Sequence, residues 1–168
     1  MREGGLELPS CFPAYRARPP ATHQIPGPDD MFNPTRNEAR QFLFEAWRKH
    51  GAGEVLTPLE HIAAHVIAHH PEFHGLLADA EGNQDKDYPP GEMNPFLHLM
   101  MHLSIQEQLS IDQPRGVREA YARLTQKRGS EHEAQHAMME CMAEMIMQAQ
   151  RSGSGPDADI YLSCLARQ

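Results

Sequence analysis

Four times along this chain a helix-capping residue stands where a helix should open. Asn33 is followed by Pro34, Thr57 by Pro58 with Glu60 close behind, Asn94 by Pro95, and Ser130 is followed one turn later by Glu133. An Asn, Ser or Thr side chain accepts hydrogen bonds from the exposed N–H groups of a first helical turn. Proline is tolerated at the first helical position, and a Glu three residues after the cap can bond back to it. Behind these signals apolar residues recur at helical spacing: Phe42, Leu43, Ala46 and Trp47, then Leu59, Ile62, Ala63, Val66 and Ile67. The third signal predicts a helix to about Leu109 and the fourth a longer one to about Gln150. Stops stand at Gly51, Pro71, Gly129 and the Ser152-Gly153-Ser154-Gly155 run.

Shorter pieces fill the gaps. Residues 71–80 read as a turn or two of helix, and 81–93 as a polar loop. Val117, Tyr121 and Leu124 mark a helix entered from an Asp112-Gln113-Pro114 turn, and Ile160, Leu162 and Leu165 mark a last short one after Pro156. Nowhere do apolar and polar residues alternate with period two, so no strand is predicted. The expected fold is all-α, a compact helical bundle of about five to six helices joined by short loops.

Residues 1–30 carry Pro9, Pro13, Pro19, Pro20, Pro26 and Pro28 without periodicity, and read as a disordered extension. The remaining 31–168 is the size of a single domain. Aromatic content is 7% and there are ten methionines, which suits a Leu/Ala/Met core between helices. The net charge of −8 repels phosphate, so neither nucleic acid nor an anionic membrane is an expected partner. The basic stretch Arg115–Arg128, interrupted by Glu119, reads as a solvated helix face. No apolar run is long enough to span a bilayer. A protein partner or homo-oligomer is left open. Cys11, Cys141 and Cys164 are odd in number, far apart and without a CxxC. No disulfide framework is therefore expected. With no apolar leader either, the expected location is cytoplasmic.

Eleven histidines are many for 168 residues, and several lie one helical turn apart. His98 and His102 share a face of one predicted helix, and His132 and His136 a face of another, with Glu140 a turn further on. Residues four apart on a helix lie roughly 5–6 Å from each other, so paired imidazoles can converge on one ion. His98 and His102 are flanked by Leu97, Leu99, Met101 and Leu103, and buried imidazoles need partners. His98, His102, His132, His136 and Glu140 are the proposed metal ligands. His70 and His74, around the Pro71 break, are secondary candidates. His61, His65 and His69 form a third stripe beside an apolar face, and His23 and His50 are read as surface residues. Nitrogen and oxygen ligands suit a transition metal, zinc or iron first, over calcium or magnesium.

Two other readings stand beside this one. The histidines and glutamates can form a buried hydrogen-bond network in a non-enzymatic interaction module. Alternatively, His132-Glu133-Ala134-Gln135-His136 matches HExxH, in which two His bind zinc and Glu133 would activate water as the catalytic base of a hydrolase. Against that, no sheet is predicted to present a substrate, and no GxxH extension follows. A di-iron bundle needs two ExxH motifs, and only Glu133–His136 is present. Hemerythrin-like domains carry HxxxH and HxxxE in the reverse order to His98–His102 and His136–Glu140. Met138, Met139, Met142, Met145 and Met147 suit copper(I) by softness, but methionine at helical spacing more often fills a core.

Several segments taken together carry a family resemblance. They are Met31-Phe32-Asn33-Pro34, Leu56-Thr57-Pro58-Leu59-Glu60, His70-Pro71-Glu72-Phe73-His74, Asn94-Pro95-Phe96-Leu97-His98 through His102, Glu107 through Pro114, His132 through His136 with Met139-Glu140-Cys141, and Gln148-Ala149-Gln150. Over residues 31–167 the chain resembles an uncharacterised bacterial domain-of-unknown-function family, the one numbered eighteen forty-one. The resemblance implies a compact bacterial cytosolic domain and brings no activity with it. His61, His65 and His69 fall outside its motifs.

Overall fold

The computed structural model of this protein describes residues 35–89 and 91–168, so the expected disordered extension over 1–30 lies outside the described residues. The described residues are all-α. Helices α1 (Arg36–Ala52) and α2 (Pro58–Ala68) are followed by a 3₁₀ turn (Pro71–Phe73). Then come α3 (His74–Ala78), α4 (Ala80–Asn83), α5 (Pro95–Ile111), α6 (Val117–Arg128), α7 (Glu131–Ser152) and α8 (Ala158–Arg167). These eight exceed the five to six expected, because the stretch after Pro71 holds two single-turn helices, α3 and α4. The chain divides into two compact units, one over Pro34–Leu103 and one over Ser104–Gln168.

In the first unit, α1 opens two residues later than the Asn33-Pro34 signal suggested. Thr35 is the N-cap: its hydroxyl accepts from the Glu38 N–H at 3.3 Å, and the Glu38 carboxylate accepts from the Thr35 N–H. This reciprocal capping box satisfies two otherwise orphaned donors. α1 ends at Gly53, whose φ of 66° is the left-handed geometry glycine supplies without strain. α2 opens as predicted, on the Thr57–Glu60 box. Glu60 also accepts from Lys49 Nζ at 2.7 Å and so ties α2 to α1. The Lys49 ammonium and the Thr57 N–H together hold the Glu60 carboxyl well below its ordinary range, at about 2.

The core of this unit is Leu43, Phe44 and Ala46 of α1, Ala63, Val66 and Ile67 of α2, then Phe73, Leu77, Phe96 and Leu99. Each fully buried Leu, Ile or Phe contributes about 1.5–3 kcal/mol relative to exposure. Arg40, buried, lays its guanidinium 4.5 Å from the Phe96 ring and donates to the carbonyls of Gln84 and Lys86. The loop leading to α5 is thereby held.

In the second unit, Met138, Met142 and Met145 of α7 are buried core residues, as their helical spacing suggested. The basic stretch is more than a solvated face. Arg123 donates to the Leu165 carbonyl at 2.6 Å, Lys127 to the Gln168 carbonyl and Arg128 to the Gln168 side chain. Cations at a helix C-terminus satisfy its orphaned carbonyls, and here α6 supplies them to α8. The expectation about cysteines is also overturned, because Cys141 and Cys164 form a disulfide with Cα atoms 5.5 Å apart. The glycine-rich break after α7 lets α8 turn back on it, which a 23-residue separation in sequence does not reveal. None of the described helices is long and apolar enough to cross a membrane.

Candidate metal centre

Pro71 creates the first part of the site. A residue before proline is pushed out of the helical region, and His70 sits at φ −123°, ψ 66°. Its ring leaves the solvent side of α2 and is buried, 1% exposed. The ring stacks parallel to Phe73 at 5.5 Å. His70 Nδ1 lies 2.8 Å from the Val66 carbonyl. A carbonyl only accepts, so Nδ1 carries the hydrogen, and in neutral His70 the lone pair is on Nε2. This is the arrangement that orients a metal-binding imidazole.

α5 supplies two more rings. Asn94 caps it, its side chain accepting from the Phe96 and Leu97 N–H groups. His98 and His102 then fall one turn apart, with ring centroids 5.0 Å from each other. Each is close to His70, at 4.8 and 4.7 Å respectively, so the three rings form a near-equilateral triangle. His98 Nε2 is 2.9 Å from His70 Nε2. With the lone pair on His70, neutral His98 is the donor. His102 is fully buried, between the buried Leu99 and Leu103.

α7 carries the remaining pair. Ser130 caps it by accepting from the Glu133 N–H at 3.4 Å. His132 and His136 follow one turn apart, with centroids at 4.2 Å. One ligand nitrogen from each of His70, His102, His132 and His136 lies within 4.8 Å of the other three. A group of four imidazoles of this kind could hold a metal ion.

The other candidates lie elsewhere. His74 puts Nε2 2.9 Å from the Ile67 carbonyl and packs its ring 4.4 Å from Trp47. Glu140 is exposed and is not one of the four converging residues. Glu133 is 59% exposed at its side chain, with Oε1 4.0 Å from His136 Nδ1. His61, His65 and His69 are exposed on α2, His69 Nδ1 donating to the His65 carbonyl. His50 is exposed against Trp47. The group of four therefore contains His70, a secondary candidate, and places His98 beside it. The signal for His70 was the proline that follows it.

No curated protein matches this chain, and neither does any solved structure. A family model does, over residues 35–167, nearly all of the described chain. The chain belongs to the family described as Domain of unknown function (DUF1841).

Proposed function

We propose that this protein binds one transition-metal ion through His70, His102, His132 and His136. The observation that carries this reading is the convergence of four imidazole nitrogens, two of them on rings withdrawn from water. Four imidazole nitrogens are a ligand set for one tetrahedral ion, which at His70 would take the Nε2 lone pair in place of the His98 N–H. Neutral imidazoles without a carboxylate suit zinc first and iron second, with nickel and copper also within reach of the ligand type. Four protein ligands fill a tetrahedron and leave no position for a reacting water. Such closed sites contribute folding energy. The proposed role of the ion is therefore structural. The net charge of −8 argues against a nucleic-acid partner. The cytoplasmic location expected earlier loses its support from the cysteines, since two of the three are paired.

The second reading is a metal-free interaction module, favoured by the His70–His98 hydrogen bond at 2.9 Å, the first link of an imidazole network. A hydrolase would require one imidazole to leave the ion, with Glu133 as the base. Elemental analysis of tag-free protein separates the first two. The metal reading expects about one ion per chain, lost in His102→Ala. A metal-free protein that keeps its helical content and stability would establish the network instead. For the hydrolase, Glu133→Gln should keep the ion and abolish ester or peptide turnover.

A further inference from the structure

We propose that Cys141 and Cys164 form a redox-operated clasp that decides whether α8 stays docked on α7. The proposal stands independently of the metal reading. α8 is ten residues long, and helices shorter than about 12–15 residues are marginal in water without packing. It is joined to α7 through an exposed Ser152-Gly153-Ser154-Gly155-Pro156 segment that permits it to swing away. Its hold on the unit is narrow. Tyr161, Cys164 and Leu165 are the residues it buries. Of its polar ties one is part-buried, Arg123 donating to the Leu165 carbonyl at 2.6 Å, and the others are peripheral: Arg167 pairs with Glu144 at 3.0 Å with both side chains about half exposed, and Lys127 and Arg128 reach Gln168 from exposed positions. Exposed ties of this kind contribute little. The disulfide is the one covalent attachment of α8 beyond the chain itself.

The chemistry balances as thiol–disulfide exchange. A thiolate of a small-molecule thiol or dithiol attacks one sulfur, forming a mixed disulfide and releasing the other cysteine as a thiol. A second thiolate completes the reduction, and the reductant leaves as its own disulfide with both electrons. Oxidation is the reverse, with a small-molecule disulfide as acceptor. Cys141 is 0% and Cys164 4% exposed, so neither sulfur is reached while α8 is docked. Exchange must wait for local opening of α8, which makes the clasp slow to release and slow to reset. Released, α8 exposes Tyr161 and Leu165.

Hydrogen exchange on the full chain tests this, comparing air-oxidised protein with protein held in dithiothreitol in metal-free buffer. Closing a loop of this length restricts the undocked state by a factor on the order of a hundred. The amides of α8 should therefore exchange about a hundredfold faster after reduction, while those of α6 change by less than about twofold. A Cys141→Ala, Cys164→Ala variant should show the fast pattern with or without reductant. Peptide mapping of alkylated native protein should find Cys141 and Cys164 blocked before reduction and labelled after it. Three results would overturn the proposal: both cysteines labelled in the air-oxidised protein, α8 exchange unchanged on reduction, or α6 accelerated as much as α8. The last would mean the bond holds the whole unit rather than one helix.

Discussion

Two regions of the first unit carry histidines at the same helical spacing and use them differently. On α2, His61, His65 and His69 repeat every four residues, and the rings of His65 and His69 lie 4.6 Å apart. On α5, His98 and His102 have the same spacing and a centroid distance of 5.0 Å. By spacing alone the α2 stripe is the richer chelator. Yet it is exposed, while His102 is buried and His70, turned inward by Pro71, is buried with it. An exposed imidazole has water as an alternative partner, so an ion gains little by replacing it. A buried one has only what the fold brings to it, which is where charge and ligand field count most. Spacing sets which rings can meet, and burial sets which meetings matter.

The contrast can be broken most sharply on metal content. His102→Ala should weaken zinc binding by more than about a hundredfold, since even partners outside the ligand shell are worth 10–100-fold. The triple change His61→Ala, His65→Ala, His69→Ala should leave one ion bound, as read by elemental analysis after dialysis. If the triple variant loses the ion and His102→Ala keeps it, the regions have been ranked in the wrong order. Packing should follow the same division. Leu99, fully buried one turn from His102, should cost about 2–5 kcal/mol on truncation to Ala in denaturant unfolding. Ile62, 36% exposed on α2, should cost less than about 1.5 kcal/mol.

His98→Ala separates the centre more finely. The His98 N–H holds the same His70 Nε2 lone pair that the ion would take, so its removal should leave one zinc bound, with affinity unchanged or raised. The smallest effect belongs to the start of α2. Glu60 has its folded-state carboxyl held at about 2, below its ordinary value of 4.5, chiefly by Lys49. Its stabilising contribution is therefore complete above pH 4.5 and is lost as pH falls toward 2. Glu60→Gln should unfold at lower urea than the parent at pH 7, and the gap should close on acidification through that window. A gap that stayed constant with pH would show that ionisation of Glu60 adds nothing, either through Lys49 or through the Thr57 cap.

Much of the helical plan was legible because it is written locally. Caps at Thr57, Asn94 and Ser130 act through the few N–H groups beside them, whatever the rest of the chain does. At α1 the expected cap was Asn33, and the Glu38 carboxylate makes Thr35, two residues on, the cap by closing a reciprocal box. The single turn α3 falls in the stretch 71–80 read as helical, whereas α4 runs into the expected loop because so short a helix depends on its cap, where Asp79 accepts from the Gly82 N–H at 3.0 Å. The Cys141–Cys164 pairing was illegible for a different reason. It depends on α8 turning back through a glycine-rich break, a distance that no spacing rule encodes. The site divides in the same way. The pairs His98/His102 and His132/His136 follow from one-turn spacing on α5 and α7. His70 outranks Glu140 because a proline aims one ring inward while the carboxylate stays in water.

Four-histidine coordination is tested most directly by X-ray absorption at the zinc edge, on tag-free protein loaded with one equivalent of zinc. It predicts a first shell of about four nitrogens at 2.0–2.1 Å with the outer-shell scattering of imidazole rings, reduced by one ring in His70→Ala. A shell dominated by oxygen, or one that the His70 substitution leaves unaltered, would contradict it.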